Sequence, residues 1–323
     1  MGYLRRTVVL GLAALCASGL LPQMAAAENV KLRMAYILAD TMLPIMAAKD
    51  AGAFEAAGID LDLAEVQGGP AVVAAIASGE ADVGYSAPVP PINARLNGVP
   101  VKMFLALGHE VDPDKKFTWL VAGKASGIAD LAGVVGKKIA FNANGGLCEL
   151  AWRDHLMAAG IAWDQVQPVV LPFPDMEAAL QQGAIDAACV INPFFSSMSA
   201  NADVGAVTLA AGMLADQKEP SLSDVLYTTD DFLAANTDTL TTFAKVVQAS
   251  RDAMLADRAS MEAAAQKYMG LTAEAAKTFN LPVVKTSTRM EPAEVQKLLD
   301  AMNRTGMLSA PVTADDMSVT LDY

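Results

Sequence analysis

Hydrophobic and polar positions along the chain repeat one order of elements twice. Residues 75–84 read Ala-Ile-Ala-Ser-Gly-Glu-Ala-Asp-Val-Gly, and residues 179–188 read Ala-Leu-Gln-Gln-Gly-Ala-Ile-Asp-Ala-Ala. In both segments an apolar helical pattern stops at a glycine, an aspartate follows, and a short apolar strand begins. The repeat predicts two α/β lobes, whose ligands would lie beyond the carboxyl ends of the parallel strands.

The repetition extends upstream of both segments. Residues 32–36 and 138–141 are short apolar runs with a turn and a helical pattern after them, and Ala57-Gly58-Ile59 corresponds to Ala159-Gly160-Ile161. Each half therefore predicts the order strand, helix, strand, helix, strand.

The segment after the second repeat is less regular. Two apolar runs at 206–209 and 225–228 predict strands on either side of a polar excursion at 216–223. After Asp230 the pattern is almost wholly helical, with predicted helices at 231–235, 239–255, 260–268, 272–279 and 292–305. These helices form either a separate domain or a layer on the first lobe, and their lack of an aromatic core of their own favours the layer.

Residues 1–27 have the pattern of a secretory signal peptide. Arg5-Arg6 gives a basic start, residues 7–21 are uncharged and largely apolar, and Ala25-Ala26-Ala27 offers a small-residue cleavage site. The alternative is an uncleaved anchor, for which the apolar run is short. The two arginines also leave open a twin-arginine export route. The pattern predicts an exported, periplasmic protein.

The charge balance is strongly acidic. The 323 residues carry 23 Lys and Arg against 36 Asp and Glu, and loss of Arg5 and Arg6 with the signal leaves 21 against 36, a net charge of −15. Such a protein is repelled by nucleic acids and anionic membrane surfaces. Since no later segment reaches membrane-spanning length, we expect neither a nucleic-acid partner nor stable membrane insertion after signal cleavage.

Cysteine and histidine are too sparse for most catalytic or metal chemistry. Cys16 lies in the signal segment, and Cys148 and Cys189 are compatible either with a disulfide or with buried thiols. His109 and His155 lie in different segments. The sequence has no Gly-x-Ser-x-Gly, His-Glu-x-x-His or Walker-type motif, so it predicts no enzyme, metal site or cofactor.

Small residues at predicted helix starts suggest a binding site instead. Gly68-Gly69-Pro70 and Asn144-Gly145-Gly146 hold corresponding places in the two lobes, and helix N-termini attract anions. The alternative is that these glycines only permit tight turns. Asp40, Glu149 and Asp175 lie near these turns and would suit an ammonium group, although the last two equally fit first-turn helix acids.

The ordered motifs resemble the nitrate/sulfonate/taurine-type periplasmic solute-binding proteins of ABC importers, a superfamily that also includes thiamine-pyrimidine synthases. In the first half they are 32–52, Gly58-Ile59, Gly68-Gly69, 78–84 and 98–102, and in the second 127–131, 136–140 and 179–187. Together they cover about residues 31–195.

The resemblance implies a type II periplasmic binding protein: two Rossmann-like lobes, joined by two crossing strands, with the helical C-terminal tail packed on lobe 1. It assigns residues 28–121 and 222–323 to lobe 1 and residues 122–221 to lobe 2. It also implies a small-molecule ligand, an ABC permease of the inner membrane as partner and a monomeric state. With the turns described above, it predicts these ligand-binding residues: Asp40, Thr41, Met42, Gly68, Gly69, Ser86, Asn142, Asn144, Gly145, Gly146, Asp175 and Asn192.

The chemistry of these turns narrows the expected ligand. They contain amides, backbone donors, acids and apolar groups but no Lys or Arg, which disfavours a bare inorganic anion. A taurine-like aminosulfonate or related sulfonate is the expected ligand. The alternative ligand is a flat neutral ring such as a pyrimidine. The alternative functions are a thiamine-pyrimidine-synthase-like enzyme and a two-lobed sensor protein that docks on a membrane receptor instead of an importer.

Overall fold

The computed structural model describes residues 28–111, 116–216, 218–283, 285 and 287–323. The predicted signal peptide, residues 1–27, lies outside this part of the chain. Across the described residues, no helix is both long enough and apolar enough to cross a membrane.

Ten strands form two five-stranded sheets, one in each lobe. The first sheet has the order β2-β1-β3-β10-β4 and the second has the order β7-β6-β8-β5-β9. The strands are β1 (Val30–Tyr36), β2 (Ile59–Glu65), β3 (Val83–Ser86), β4 (Val101–Glu110), β5 (Trp119–Ala122), β6 (Lys138–Phe141), β7 (Gln167–Val170), β8 (Ala187–Val190), β9 (Val207–Ala211) and β10 (Ser221–Thr229).

Helices cover the sheets, and most follow the carboxyl end of a strand. They are α1 (Leu43–Asp50), α2 (Ala53–Ala56), α3 (Gly69–Ala77), α4 (Val89–Leu96), α5 (Leu147–Ala158), α6 (Phe173–Gln181), α7 (Phe194–Ala200), α8 (Asp230–Ala235), α9 (Thr237–Ala256), α10 (Arg258–Met269), α11 (Ala273–Thr278), α12 (Pro292–Arg304) and α13 (Ala314–Met317). The short helices α2 and α13 were not predicted from the sequence, since one turn leaves too few periodic positions.

The sequence repeat has the same structural role in both lobes. Asp82 accepts a hydrogen bond from the Arg33 backbone N–H at 2.8 Å, and Asp186 accepts one from the Lys138 backbone N–H, also at 2.8 Å. Each aspartate thus joins the entry of the third strand of its lobe to the first, β3 to β1 and β8 to β6. The predicted two-lobed α/β fold is confirmed.

The chain crosses between the lobes twice, from β4 to β5 and from β9 back to β10. Trp119–Ala122 pairs with β8 and β9, so residues 119–121, assigned to lobe 1 from the sequence, lie in the second sheet. Ser221, assigned to lobe 2, pairs with Glu110 in the first sheet. Strand pairing thus moves both boundaries by a few residues. That each part folds as a unit stays a prediction.

The start of β10 differs from the expected polar excursion. Ser221, Ser223 and Asp224 are buried, and Ser223 and Asp224 have no exposed surface. Because these side chains are polar, the hydrophobicity pattern does not predict a buried strand at this place. Burial is tolerated because these groups are hydrogen-bonded, for example Ser223 Oγ to Asp224 Oδ2 at 2.9 Å.

The C-terminal helices pack against the first lobe, as the sequence predicted. Phe243 of α9 stacks on Phe54 of α2, with ring centroids 5.1 Å apart. Leu43 at the start of α1 shares an apolar cluster with Met254 of α9 and Met269 of α10. Near the C-terminus, Ser318 bridges to β4 through Met103. The predicted helical layer on lobe 1 is confirmed.

Cys148 and Cys189 form a disulfide that links α5 to β8, with their Cα atoms 5.5 Å apart. Of the two states that the sequence left open, the structure has the disulfide. The bond fixes the start of α5, and hence the turn at 142–146, to the strand that ends two residues before Asn192.

Glu110 holds the two crossings together. One carboxylate oxygen accepts hydrogen bonds from the backbone N–H groups of Phe117 and Thr118, both at 2.6 Å, as the chain enters lobe 2. The other accepts one from the Met213 backbone N–H at 2.6 Å, as the chain returns. One fully buried side chain therefore anchors both connections between the lobes.

We expect Glu110→Gln to destabilise the protein by roughly 1–3 kcal/mol, because the new amide would present N–H groups to backbone N–H donors. Denaturant unfolding measures the loss. Glu80→Gln, at an exposed position, should leave the unfolding midpoint unchanged. Equal stability of the two variants would contradict this role for Glu110.

The double variant Cys148→Ala/Cys189→Ala should lose about 4 kcal/mol of unfolding free energy, because the bond closes a loop with a sequence separation of 41 residues. Chemical unfolding compares it with the oxidised wild type. Wild-type protein unfolded in a thiol reductant serves as the control and should lose a similar amount. An unchanged midpoint in the double variant would exclude this contribution.

Candidate functional site

The candidate site lies where the strand ends of the two lobes face each other. In lobe 1 the turn after β1 carries Asp40 and Thr41, and β3 ends at Ser86. In lobe 2, Asn142 follows β6 and Asn192 comes shortly after β8. The fold therefore places these groups at the carboxyl ends of parallel strands, where open α/β sheets bind ligands.

Two hydrogen bonds cross between the lobes at this position. Asn192 Nδ2 of lobe 2 donates to Asp40 Oδ2 of lobe 1 at 3.3 Å. Asn93 Nδ2 of α4 donates to the Gly145 carbonyl oxygen at 3.0 Å. The lobes are therefore in contact across the crevice, in a closed arrangement.

Two glycines allow the close approach at the start of α3. Gly68 has φ +88°, and a Cβ atom there would lie 3.5 Å from Ala143 Cβ and 3.7 Å from Asn142 Nδ2 of the opposite lobe. A Cβ atom on Gly69 would lie only 2.4 Å from Pro90 Cγ. The glycines thus do more than permit a turn: they let the α3 N-terminus face the turn before α5.

Asp40 is the most unusual group in the crevice. It has no exposed surface, and burial, with a further contribution from the negative charge of Asp224, raises its pKa to about 8 despite the hydrogen bond from Asn192. Its Oδ1 atom has no hydrogen-bond partner among the described residues. Buried polar atoms are usually paired, so an unpartnered carboxyl oxygen at this place points to a ligand contact.

A hydrogen-bond network beneath Asp40 fixes the turn. The Thr41 hydroxyl lies 2.7 Å from the Tyr85 hydroxyl, and Tyr85 donates to Asp224 Oδ1 at 2.9 Å. The network fits closely around β4, because a Cβ atom on Gly108 would lie 2.4 Å from Asp224 Oδ2 and 2.9 Å from Thr41 Cγ2. The backbone of Asp40 is therefore held in place through its neighbour Thr41.

The network is also electrostatically unusual. Burial raises the pKa of Asp224 to about 7, although the hydrogen bonds from Tyr85 and Ser223 favour its ionised form. Burial and the Asp224 charge raise the pKa of Tyr85 well above its ordinary value, so the phenol stays protonated and donates. Two carboxyl groups that resist ionisation thus lie close together below the crevice.

The structure brings most of the predicted site residues to this crevice. Met42 is buried in the hydrophobic core beneath it, and Gly146 is the N-cap of α5. Asn144 and Asp175 are exposed. Glu149, weighed for an ammonium contact, instead accepts from Gly145 N–H and pairs with Arg153 at 2.8 Å. At the crevice are Asp40, Thr41, Gly68, Gly69, Ser86, Asn142, Gly145 and Asn192; ligand contact by any predicted residue stays a prediction.

Three further residues of this region were not identified from the sequence. Tyr85 lies in an apolar strand pattern, Asp224 lies between the predicted polar excursion at 216–223 and the predicted strand at 225–228, and Asn93 lies within a helix. Tyr85 and Asp224 are 139 positions apart, so only the tertiary fold shows that they form a pair. The one local signal was an aspartate directly before the apolar run 225–228.

Metal ligands are not grouped in the part of the chain that the structure describes. No cluster of three or more His, Cys, Asp or Glu side chains there has the arrangement of a metal site.

A family model described as NMT1/THI5 like matches residues 40–260, well over half of the chain. The chain belongs to the NMT1/THI5-like family. This membership confirms the resemblance that the ordered motifs indicated.

Two curated relatives match parts of the chain. A protein of Escherichia coli (strain K12) named for binding aliphatic sulfonates is 31% identical over 133 residues, which are 41% of this chain and 40% of that protein. The 4-amino-5-hydroxymethyl-2-methylpyrimidine phosphate synthase of Schizosaccharomyces pombe (strain 972 / ATCC 24843) is 34% identical over 99 residues, 31% of this chain and 27% of that enzyme. The matches span less than half the length of either relative.

A solved structure shows the same fold over nearly the whole chain. The alkanesulfonate-binding protein SsuA from Xanthomonas axonopodis pv. citri, bound to MOPS, superimposes with a TM-score of 0.73 at 20% identity, over 91% of this chain and 99% of that one. The predicted periplasmic-binding-protein fold is therefore confirmed. Of the two curated relatives above, one is named as a binding protein and the other as an enzyme.

We expect Asp40→Asn to stabilise the ligand-free protein more at pH 8 than at pH 5. The folded carboxyl has a pKa of about 8 against an ordinary 3.8, so the folded state holds a proton that the unfolded state releases. The free energy of unfolding therefore falls as the pH rises between these values, and the substitution removes that loss. Thermal unfolding at both pH values measures it.

Asp60, which is exposed on β2, provides the control, since Asp60→Asn at the surface should change the unfolding free energy little. An Asp40→Asn shift that does not depend on pH would show that Asp40 is not held protonated in the folded protein.

Proposed function

We propose that the chain is a periplasmic receptor that binds a small organic solute between its lobes and delivers it to an ABC importer. The observation that carries the proposal is the meeting of strand-end turns from both lobes around a buried crevice, with Asn192 and Asn93 donating across it to the opposite lobe. Two-lobed proteins of this kind close on a ligand by hinge motion.

The connections between the lobes support an opening motion. Two crossings join the sheets in the part of the chain that the structure describes, and Glu110 anchors both at one end. By contrast, the Asn192–Asp40 and Asn93–Gly145 contacts are single hydrogen bonds. Several hydrogen bonds thus hold the crossings together, and few hold the lobes together at the crevice. This arrangement suits a protein that opens to admit a solute and closes around it.

The finer proposal is that the solute is an aminosulfonate such as taurine. The N-terminus of α3, at Gly68-Gly69, faces the turn that precedes α5, so the positive ends of two helix dipoles lie beside the crevice. They offer backbone N–H groups to a sulfonate, as helix N-termini do to other anions. Asp40 supplies an acidic counterpart on the same side of the crevice as α3.

A second candidate is a flat aminopyrimidine ring. The buried carboxyl of Asp40 suits the N–H groups of such a ring, and the match to the fission-yeast pyrimidine phosphate synthase is consistent with it. We propose binding without catalysis, because Cys148 and Cys189 are joined to each other and neither is available as a thiol nucleophile or metal ligand.

Thermal unfolding against a panel of sulfonates, small carboxylates, amides and pyrimidines tests the receptor function. A ligand at about 100 times its Kd stabilises the folded state by about 2.7 kcal/mol, which corresponds to a rise in Tm of roughly 5–10 °C. We expect at least one aminosulfonate or aminopyrimidine to produce such a rise.

Protein unfolded in denaturant, washed and refolded is the control, since it removes any solute carried through purification. Mass spectrometry of the released material identifies such a solute directly. A flat Tm profile across the panel with no released solute would contradict the proposed receptor function.

A further inference from the structure

We propose that Asp40 selects solutes that carry a cationic or N–H nitrogen, with its Oδ1 atom as the acceptor, so that a plain alkanesulfonate is a poor ligand. The proposal rests on the receptor function above and specifies the chemical class that the crevice admits.

The unused oxygen of Asp40 is the first observation. Asp40 is completely buried, and only Oδ2 has a partner, the Asn192 amide at 3.3 Å. Oδ1 has none among the residues that the structure describes. A buried carboxyl oxygen without a donor is costly, so the closed state is incomplete until a donor arrives. Because Asn192 comes from the opposite lobe, the Asp40 carboxyl group lies where the two lobes meet.

The second observation is the missing counter-charge. Asp40 and the nearby Asp224 are both buried, and neither forms an ion pair within the described ranges, which leave out only 1–27, 112–115, 217, 284 and 286. Arg251 of α9 lines a small neighbouring cavity with Thr41, but its guanidinium lies 3.6 Å from Asp252. A buried acid without a cation or a metal beside it stays protonated, and a cation that arrives beside it stabilises the carboxylate. At this site the solute would supply the positive charge.

The third observation is that the carboxyl group is held in a fixed position. Thr41, the next residue, lies 2.7 Å from the Tyr85 hydroxyl, and Tyr85 in turn donates to Asp224. An acceptor on such an anchored turn distinguishes between solutes by geometry, because it cannot move aside when the donor is absent. A solute with a methyl group in place of an amine would leave Oδ1 unpaired on closure.

The charged groups around Asp40 also predict proton release. At pH 7 the Asp40 carboxyl is largely protonated, because burial and Asp224 on β10 raise its pKa to about 8. An ammonium group beside it favours the carboxylate and lowers that pKa. Binding of an amine solute should therefore release up to one proton from Asp40 to the buffer. The neutral Tyr85 phenol and the Asn192 amide release none in this pH range.

Three probes with the same anionic group test the selection: taurine, isethionate and ethanesulfonate, in which the same two-carbon sulfonate ends in an ammonium group, a hydroxyl group and a hydrogen atom. Calorimetric titration at pH 7 should give wild-type protein a preference for taurine over ethanesulfonate of roughly 10- to 100-fold, the effect of one charge-assisted hydrogen bond. Asp40→Asn should reduce that preference to within about threefold, while the control Asp60→Asn, at an exposed position on β2, keeps it.

Calorimetric titration in buffers of different ionisation enthalpy measures the number of protons released when a solute binds. We expect wild-type protein to release more protons per taurine bound than Asp40→Asn, in which the Asp224 carboxyl, whose pKa burial raises to about 7, is the remaining source. The Tm of Asp40→Asn confirms that the variant is folded. Equal affinities of wild-type protein for the three sulfonates, or an undiminished preference in Asp40→Asn, would overturn the proposal and leave the receptor function standing.

If none of the three sulfonates binds, the same comparison uses 4-amino-5-hydroxymethyl-2-methylpyrimidine and the same ring without its amino group. A preference for the aminated ring that Asp40→Asn abolishes supports the proposal. The proposal is overturned if the solute that binds most tightly, in this pair or in the wider panel, has no nitrogen donor. Failure of every compound to bind removes the receptor function, and this inference with it.

Discussion

The interaction on which the two-lobed arrangement depends is the burial of the Glu110 carboxylate where the chain passes between the lobes. A buried carboxylate is stable only when its oxygens are hydrogen-bonded, and the available donors are backbone N–H groups of the outgoing and returning segments, those of Phe117, Thr118 and Met213. Satisfying one side chain thus fixes both crossings at one point. The strand ends of the two lobes meet elsewhere, at the crevice, where Asn192 of lobe 2 bonds Asp40 of lobe 1.

The buried acid at the crevice, Asp40, is hydrogen-bonded less completely than Glu110. At the hinge the buried Glu110 accepts hydrogen bonds on both of its oxygens, whereas at the crevice Asp40 has one donor on one oxygen and none on the other within the described chain. The hydrogen bonds of Glu110 stabilise the protein, whereas at Asp40 a buried carboxyl oxygen is left without a hydrogen-bond partner among the described residues. Such differences are typical of binding sites, where groups are positioned for a partner at a cost to the stability of the free protein.

The sequence predicted much of the fold because the repeat has a local cause. Asp82 and Asp186 each bond a backbone N–H of the first strand in their lobe, and a glycine in the left-handed region, Gly79 or Gly183, ends the helix before each of them. Both signals lie within a few residues of one another, so the pattern shows them. The polar start of β10 has a weaker local signal, the aspartate directly before the apolar run 225–228, because Tyr85, which bonds Asp224 in the buried strand, is far away in the chain.

The sequence by itself determined the two α/β lobes, the helical layer and the turns at Asp40, Gly68-Gly69, Asn142 and Asn192, since periodicity and helix-start residues depend on near neighbours. It did not decide whether Cys148 and Cys189 are thiols or a disulfide. It also did not distinguish Asn144 and Asp175, which are exposed, from Asp40, which is buried. Only the tertiary structure decided those points, because burial, the distance between sulfur atoms and the partners of a carboxyl group are set by segments that meet in space after folding.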